Sequence, residues 1–214
     1  MMWFALGCCC AVWAATHRRG RKGFAKSAKK KCTADQQKNT GNEFDDSQLA
    51  GTARTWRMDM TWITPRIAVG GGIWNTENMA EVARAGITHV IDMQIEFDDT
   101  ELAKPYGIEV LWNAVDDDFQ PKGPEVFQRG VEFAQVALDG GNGKLFIHCA
   151  AGVHRAPMMM LALLCSMGWE LGKAIELIEE KRPVVDFPDV YVNSVENFLQ
   201  SSVFGRPWSR NISR

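Results

Sequence analysis

A short apolar strand, a five-residue loop and a buried helix, in immediate succession from Lys144 to Met167, constrain this chain more than any other segment. Lys144-Leu145-Phe146-Ile147 follows the turn signal Gly140-Gly141-Asn142-Gly143 and reads as a buried strand. Ala156 to Met167 reads as a buried helix with Pro157 in its first turn, where a missing N–H costs nothing. Between them runs His148-Cys149-Ala150-Ala151-Gly152-Val153-His154-Arg155. That order sets Cys149 at a helix N-terminus, before unpaired N–H groups and the positive end of the dipole. Only a thiolate is a strong nucleophile, and reactive cysteines occur in surroundings of this kind. The loop can curl so that the N–H groups of Ala150, Ala151, Gly152, Val153 and His154 converge with the fork of Arg155 on one tetrahedral oxyanion. Gly152 suits the positive φ or close approach of such a turn. Phosphoryl transfer to sulfur then asks for positioning, charge stabilisation and an acid to protonate the leaving oxygen.

Asp116-Asp117-Asp118 offers that acid. It ends an extended segment, Ile108 to Val115, and precedes the loop Gln120-Pro121-Lys122-Gly123-Pro124, the kind of loop that carries acids over a substrate. Neighbours in an extended loop point to opposite sides, so two of the three are expected in a solvated turn.

Together these residues resemble the cysteine-dependent protein phosphatases of the compact dual-specificity type. The signature His-Cys-x2-Gly-x2-Arg is met by His148, Cys149, Gly152 and Arg155. Upstream, Ile63-Thr64-Pro65-Arg66-Ile67-Ala68-Val69-Gly70 and Gly86-Ile87-Thr88-His89-Val90 resemble the family's opening segments. Downstream, so do Gly168-Trp169 and Arg182-Pro183. The resemblance implies a phosphocysteine at Cys149, phosphate held by the loop and Arg155, and no metal or cofactor. The family's general acid lies a little over thirty residues before the cysteine, which selects Asp117, with Asp116 next and Asp118 also open. One departure is Ala156, where the family has Ser or Thr to help the thiolate leave. A slow second step follows from it, so a weakly active phosphoprotein-binding relative remains an alternative. A rhodanese-type loop, usually one residue shorter and without a partner acid, fits less well.

With 214 residues, 46% hydrophobic and 23% charged, the chain can bury one sizeable core. Strands near Ile67, His89–Met93, Glu109–Val115 and Lys144–His148 alternate with helices, so an α/β fold is expected, with a central, mostly parallel sheet flanked by helices. Helices are expected over 125–138, where Phe127, Val131, Ala134 and Leu138 form a stripe, around Leu171–Ile178, and over 192–199. Residues 56–203 form the expected catalytic domain, expected to be a monomer, between an apolar head (1–15) with a basic and polar linker (16–55) and a tail (204–214).

The net charge of −2 argues against a nucleic-acid surface. The six cysteines form no disulfide framework, since Cys8, Cys9 and Cys10 cluster in the head, Cys32 lies in the linker and Cys165 in a helix. A reducing, cytoplasmic compartment is expected. His148 is expected to order the cysteine loop by hydrogen bonding, His154 to face water, and Trp74 and Phe119 to be core rather than cleft. The head is too short to span a bilayer, which takes about 20 apolar residues. Three readings of it stand: a short anchor, a head acylated at Cys8–Cys10 with residues up to 31 against anionic lipid, or a functionless extension. In the loop only Arg155 is cationic, which favours phosphotyrosine and phosphoserine/threonine in proteins over a polyphosphorylated lipid or small molecule.

Overall fold

A computed structural model describes residues 57–201; the expectations for the head, the linker and the tail lie outside the described residues. Five strands form one sheet: β1 (Met60–Trp62), β2 (Ile67–Gly70), β3 (His89–Asp92), β4 (Glu109–Trp112) and β5 (Leu145–His148). Their order is β1-β2-β5-β3-β4. β1 runs antiparallel to β2, and the other three pairings are parallel. The mostly parallel sheet is the one expected; β1 is an addition, a partly exposed edge strand of three residues with no apolar run to announce it.

Alternation along the strands divides the core into two layers. Ile67, Val69, Ile91, Leu145 and Ile147 face α3 (Pro124–Asp139), α4 (Arg155–Ser166), α5 (Leu171–Lys181) and α6 (Asp189–Gln200). Ala68, Val90 and Phe146 face α1 (Thr76–Arg84) and the short α2 (Thr100–Ala103). Asn75 starts α1 by accepting a hydrogen bond from the Asn78 N–H at 2.8 Å. In α4 every residue from Arg155 to Leu164 is buried, so this helix is apolar on all sides except at its first residue. Truncating a core residue such as Leu161 to alanine would cost about 2–5 kcal/mol. Among the described residues no helix is long and apolar enough to cross a membrane.

Register fixes the location of the site. Gly70, Asp92 and His148 end their strands side by side, since His148 pairs with both Gly70 and Asp92. The segments that leave these carboxyl ends therefore meet at one point, the usual place for a ligand in a parallel sheet.

Candidate active site

The loop from Cys149 to Arg155 is held by its carbonyl groups. The Ala150 carbonyl accepts from the Gly72 N–H at 3.1 Å, and that of Val153 from the Asp186 N–H at 3.1 Å. Arg182 donates through Nε to the Gly152 carbonyl (2.9 Å) and through Nη2 to that of Ala151 (3.3 Å). With four successive carbonyls turned outward, the N–H groups of residues 150–154 find no acceptor among the described residues. They sit at the N-terminus of α4, where the dipole adds positive potential, and so form an oxyanion cradle. Gly152 has φ +65°, and a Cβ there would lie 2.5 Å from the Gly70 carbonyl and 2.6 Å from Arg182 Nη2. Only glycine fits. Arg182 is itself fixed by Asp59 (2.7 and 2.6 Å) and Thr61 (3.1 Å), so the unanticipated β1 edge braces the loop.

Arg155 begins α4 with its guanidinium buried. Nη1 and Nη2 donate to the two oxygens of Glu96, each at 2.9 Å, and Nη1 also donates to the Val115 carbonyl at 3.0 Å. Nε has no partner. Glu96 thus occupies one edge of the fork and leaves the Nε–Nη2 edge for a bidentate contact with an oxyanion. Burial opposes the charge, but the bonds to Glu96, with Cys149 and Asp117 nearby, outweigh it and hold Arg155 above its ordinary value. The same bond holds the Glu96 carboxyl below the ordinary carboxylate range.

The three aspartates have different surroundings. Asp116 is exposed. Asp118 pairs with Lys122 and accepts from the Gln120 N–H at 3.0 Å, and Lys122 holds its carboxyl below the usual range. Asp117 points inward: Tyr191 donates to its Oδ1 at 3.0 Å, His154 Nδ1 lies 3.2 Å from its Oδ2, and Arg155 Nε lies 3.7 Å from the same oxygen. Tyr191 is pushed up to about 12, chiefly by burial, while its oxygen accepts from the Phe119 N–H at 3.1 Å.

Four expectations are corrected here. His154 does not face water; Asp117 and Asp186 flank its ring because Asp186 is bonded to the loop at Val153. Phe119 is 51% and Trp74 53% exposed, so neither is core. Phe119, at φ +55°, stacks on Tyr191 at the rim, and Trp74 lines a cavity of about 420 Å³ with Arg57, Asn75, Asn78 and Ala150. His148 makes no hydrogen bond to the loop. Its strand register points it at Asp92, so Nε2 lies 2.8 Å from Asp99 Oδ2 and 3.7 Å from Asp92 Oδ1, off the direction of a hydrogen bond.

Asp92, Asp99 and His148 bring ligand-type atoms within 4.8 Å of one another and are the grouping among the described residues that could hold a cation. All three are sealed from solvent, and Asp92 already accepts from the Gln94 N–H at 2.8 Å. Burial raises the Asp92 carboxyl to about 7 despite His148. Cys165, on α4, is pushed up to about 11 by burial and has the character of an inert hydrophobe.

Sequence reading missed Glu96, Arg182, Tyr191 and Asp186 as site residues. Two signals were available: Arg182 lies in a segment that resembles the family's, and Glu96 lies just past the carboxyl end of a parallel strand.

Known proteins bear on this geometry. Rat dual specificity protein phosphatase 26 is 27% identical over 147 residues, 67% of this chain and 69% of its own length. Mouse protein phosphatase Slingshot homolog 3 is 28% identical over 118 residues, 54% of this chain, so the chain spans only 17% of that relative. Among solved structures, PTPMT1 in complex with PI(5)P superposes with a TM-score of 0.60 at 20% identity, covering 65% of this chain and 94% of that one. DUSP15 does so with 0.55 at 22%, covering 67% and 88%. These likenesses are of fold. Residues 72–198, more than half of the chain, match the family model for the dual specificity phosphatase catalytic domain. The chain belongs to the dual specificity phosphatase family.

Proposed function

We propose that the chain hydrolyses phosphomonoesters, with phosphotyrosine and phosphoserine/threonine in proteins as substrates, through a phosphocysteine. The observation that carries this is the ring of N–H groups from residues 150–154 that find no acceptor among the described residues, beside Cys149 and the open edge of Arg155. Cys149 sulfur bonds to phosphorus as the P–O bond to the leaving group breaks, and Asp117 gives its proton to the departing oxygen. Asp117 then takes a proton from water as the oxygen attacks phosphorus and the S–P bond breaks. The N–H ring and Arg155 stabilise charge on the transferring group in both steps. Glu96 and Arg182 orient Arg155 and the loop respectively. Because Arg155 is the one cation within residues 149–155, a single dianionic ester suits the site better than a polyphosphorylated one. A free Cys149 also favours a reducing compartment, the cytoplasm.

A second reading is a phosphoprotein-binding relative of low turnover. It rests on Ala156, which is fully buried at the second position of α4 with no hydroxyl to assist the departing thiolate. Hydrolysis of an aryl phosphate, a phosphopeptide panel and a phosphoinositide panel by the full chain, with Cys149→Ser as control, tests both. Sustained turnover of phosphopeptides that vanishes in the control is expected; tight binding after at most one turnover supports the second reading, and preference for phosphoinositides overturns the substrate class.

A further inference from the structure

The two oxygens of Asp117 are not equivalent. Oδ1 accepts from the Tyr191 hydroxyl at 3.0 Å, and that hydroxyl's oxygen is occupied by the Phe119 N–H at 3.1 Å. A phenol has one proton to donate, so Oδ1 is committed as an acceptor. Oδ2 faces His154 Nδ1 at 3.2 Å, with Arg155 Nε 3.7 Å away. On the other side of the imidazole, Nε2 lies 3.4 Å from Asp186 Oδ2, on a carboxylate whose side chain is 70% exposed. Of the two carboxylates beside the ring, that of Asp186 is the solvent-exposed one, 70% against 30% for Asp117, so Nε2 is assigned as the nitrogen that carries the N–H. In a neutral ring Nδ1 is then a bare acceptor, and a bare acceptor 3.2 Å from a carboxyl oxygen is matched only if the proton sits on that oxygen.

Resting on the reading of Asp117 as the acid, we propose that His154, its tautomer set by Asp186, is a positioning residue that keeps the acid's proton on Oδ2. That is the oxygen beside Arg155 and so beside the phosphate loop. When substrate arrives the proton passes from Oδ2 to the leaving oxygen, the O–H bond breaking as the new one forms, and His154 itself gains and loses nothing. With the opposite tautomer, or a doubly protonated ring, Nδ1–H would donate to Oδ2 and favour the carboxylate, which cannot act as an acid. The ionisable groups that face the ring are Asp117 on the β4–α3 loop, Asp186 on the α5–α6 loop, Arg155 on α4 and, through Asp117, Tyr191 on α6. Phe119 closes the ring's edge at 5.2 Å.

Two measurements on the full chain test this. In the Cys149→Ser protein, which needs no turnover, the imidazole ¹⁵N shifts should report His154 as the Nε2–H tautomer near neutral pH, and Asp186→Asn should mix the two tautomers. In the active protein, His154→Ala should slow kcat for an alkyl phosphate by about tenfold or more, the lower end of what an acid supplies. It should slow p-nitrophenyl phosphate, whose leaving group needs little acid, by a much smaller factor. Asp186→Asn, at an exposed position, should move the same ratio in the same direction by a smaller factor. A Nδ1–H tautomer, or an equal loss for both substrates, overturns the proposal. If the protein shows no turnover that depends on Cys149, the phosphatase reading fails separately, and the tautomer still decides the role of His154.

Discussion

Asp92 pairs in register with His148, the residue before the nucleophile, and offers a sharp thermodynamic test. It is sealed from solvent at the end of β3, and burial raises its carboxyl from 3.8 to about 7, with His148 and the Gln94 N–H pulling the other way. In the unfolded chain the group returns to the ordinary value. Between the two values the folded protein keeps a proton that the unfolded chain has released, so stability falls as pH rises through that window. The contribution is complete below about pH 4 and gone above about pH 7, and a shift of roughly three units corresponds to about 4 kcal/mol. Asp92→Asn removes the titration and keeps Oδ1 as an acceptor for Gln94. Urea unfolding of both proteins across the range removes from the difference the effect of ionisable groups remote from Asp92, leaving Asp92 with its neighbours Asp99 and His148. From about pH 5 to about pH 8 the variant should gain roughly 2.5 kcal/mol relative to the parent, the part of the window that lies above pH 5. A difference that stays flat would place the proton elsewhere in the cluster and refute the reasoning.

Asp117→Asn should slow esters with poor leaving groups by about 10²–10⁴ and good ones far less, read from kcat across an aryl and alkyl series. A larger loss at Asp116 would move the acid by one residue. Ala156→Ser should raise steady-state turnover by up to about tenfold, equivalent to about 1.4 kcal/mol, and shrink any burst seen in stopped-flow. Arg182→Met removes the bonds to two loop carbonyls and the pair with Asp59. Since Asp59 is exposed and is not left as a buried unpaired charge, the loss should be about 1–2 kcal/mol, or roughly 2–8 °C in Tm. Its KM for phosphate esters should rise as the cradle slackens, and an unchanged KM would show that the loop holds its shape without this brace.

The central strand, the loop and α4 were legible because they are contiguous and each step has a local cause: an apolar run, a glycine, a proline in a first turn. The parallel sheet followed from alternation of the same kind. What lay hidden was contact across sequence distance. Nothing local in Glu96 or Arg182 says that one will grip Arg155 and the other the Gly152 carbonyl, 30 residues away. Local composition misled for Trp74 and Phe119, where bulk suggested core although the chain places them on a rim. For His154, the partner that changes its meaning arrives on a different loop. β1 was too short and too mixed to register, yet its Thr61 and the preceding Asp59 hold the site in shape.

The burial of α4 on every side links catalysis to unfolding. Arg155 belongs to the most enclosed helix, so the amides of α4 should open only with the whole domain, in the slowest class of hydrogen exchange. Asp117 is tied down by two side chains from other elements and can detach while the core stays shut. Under mild denaturant the protein would then lose its two chemistries in sequence: hydrolysis of demanding esters fades first, and hydrolysis of activated ones persists until the fold itself is gone.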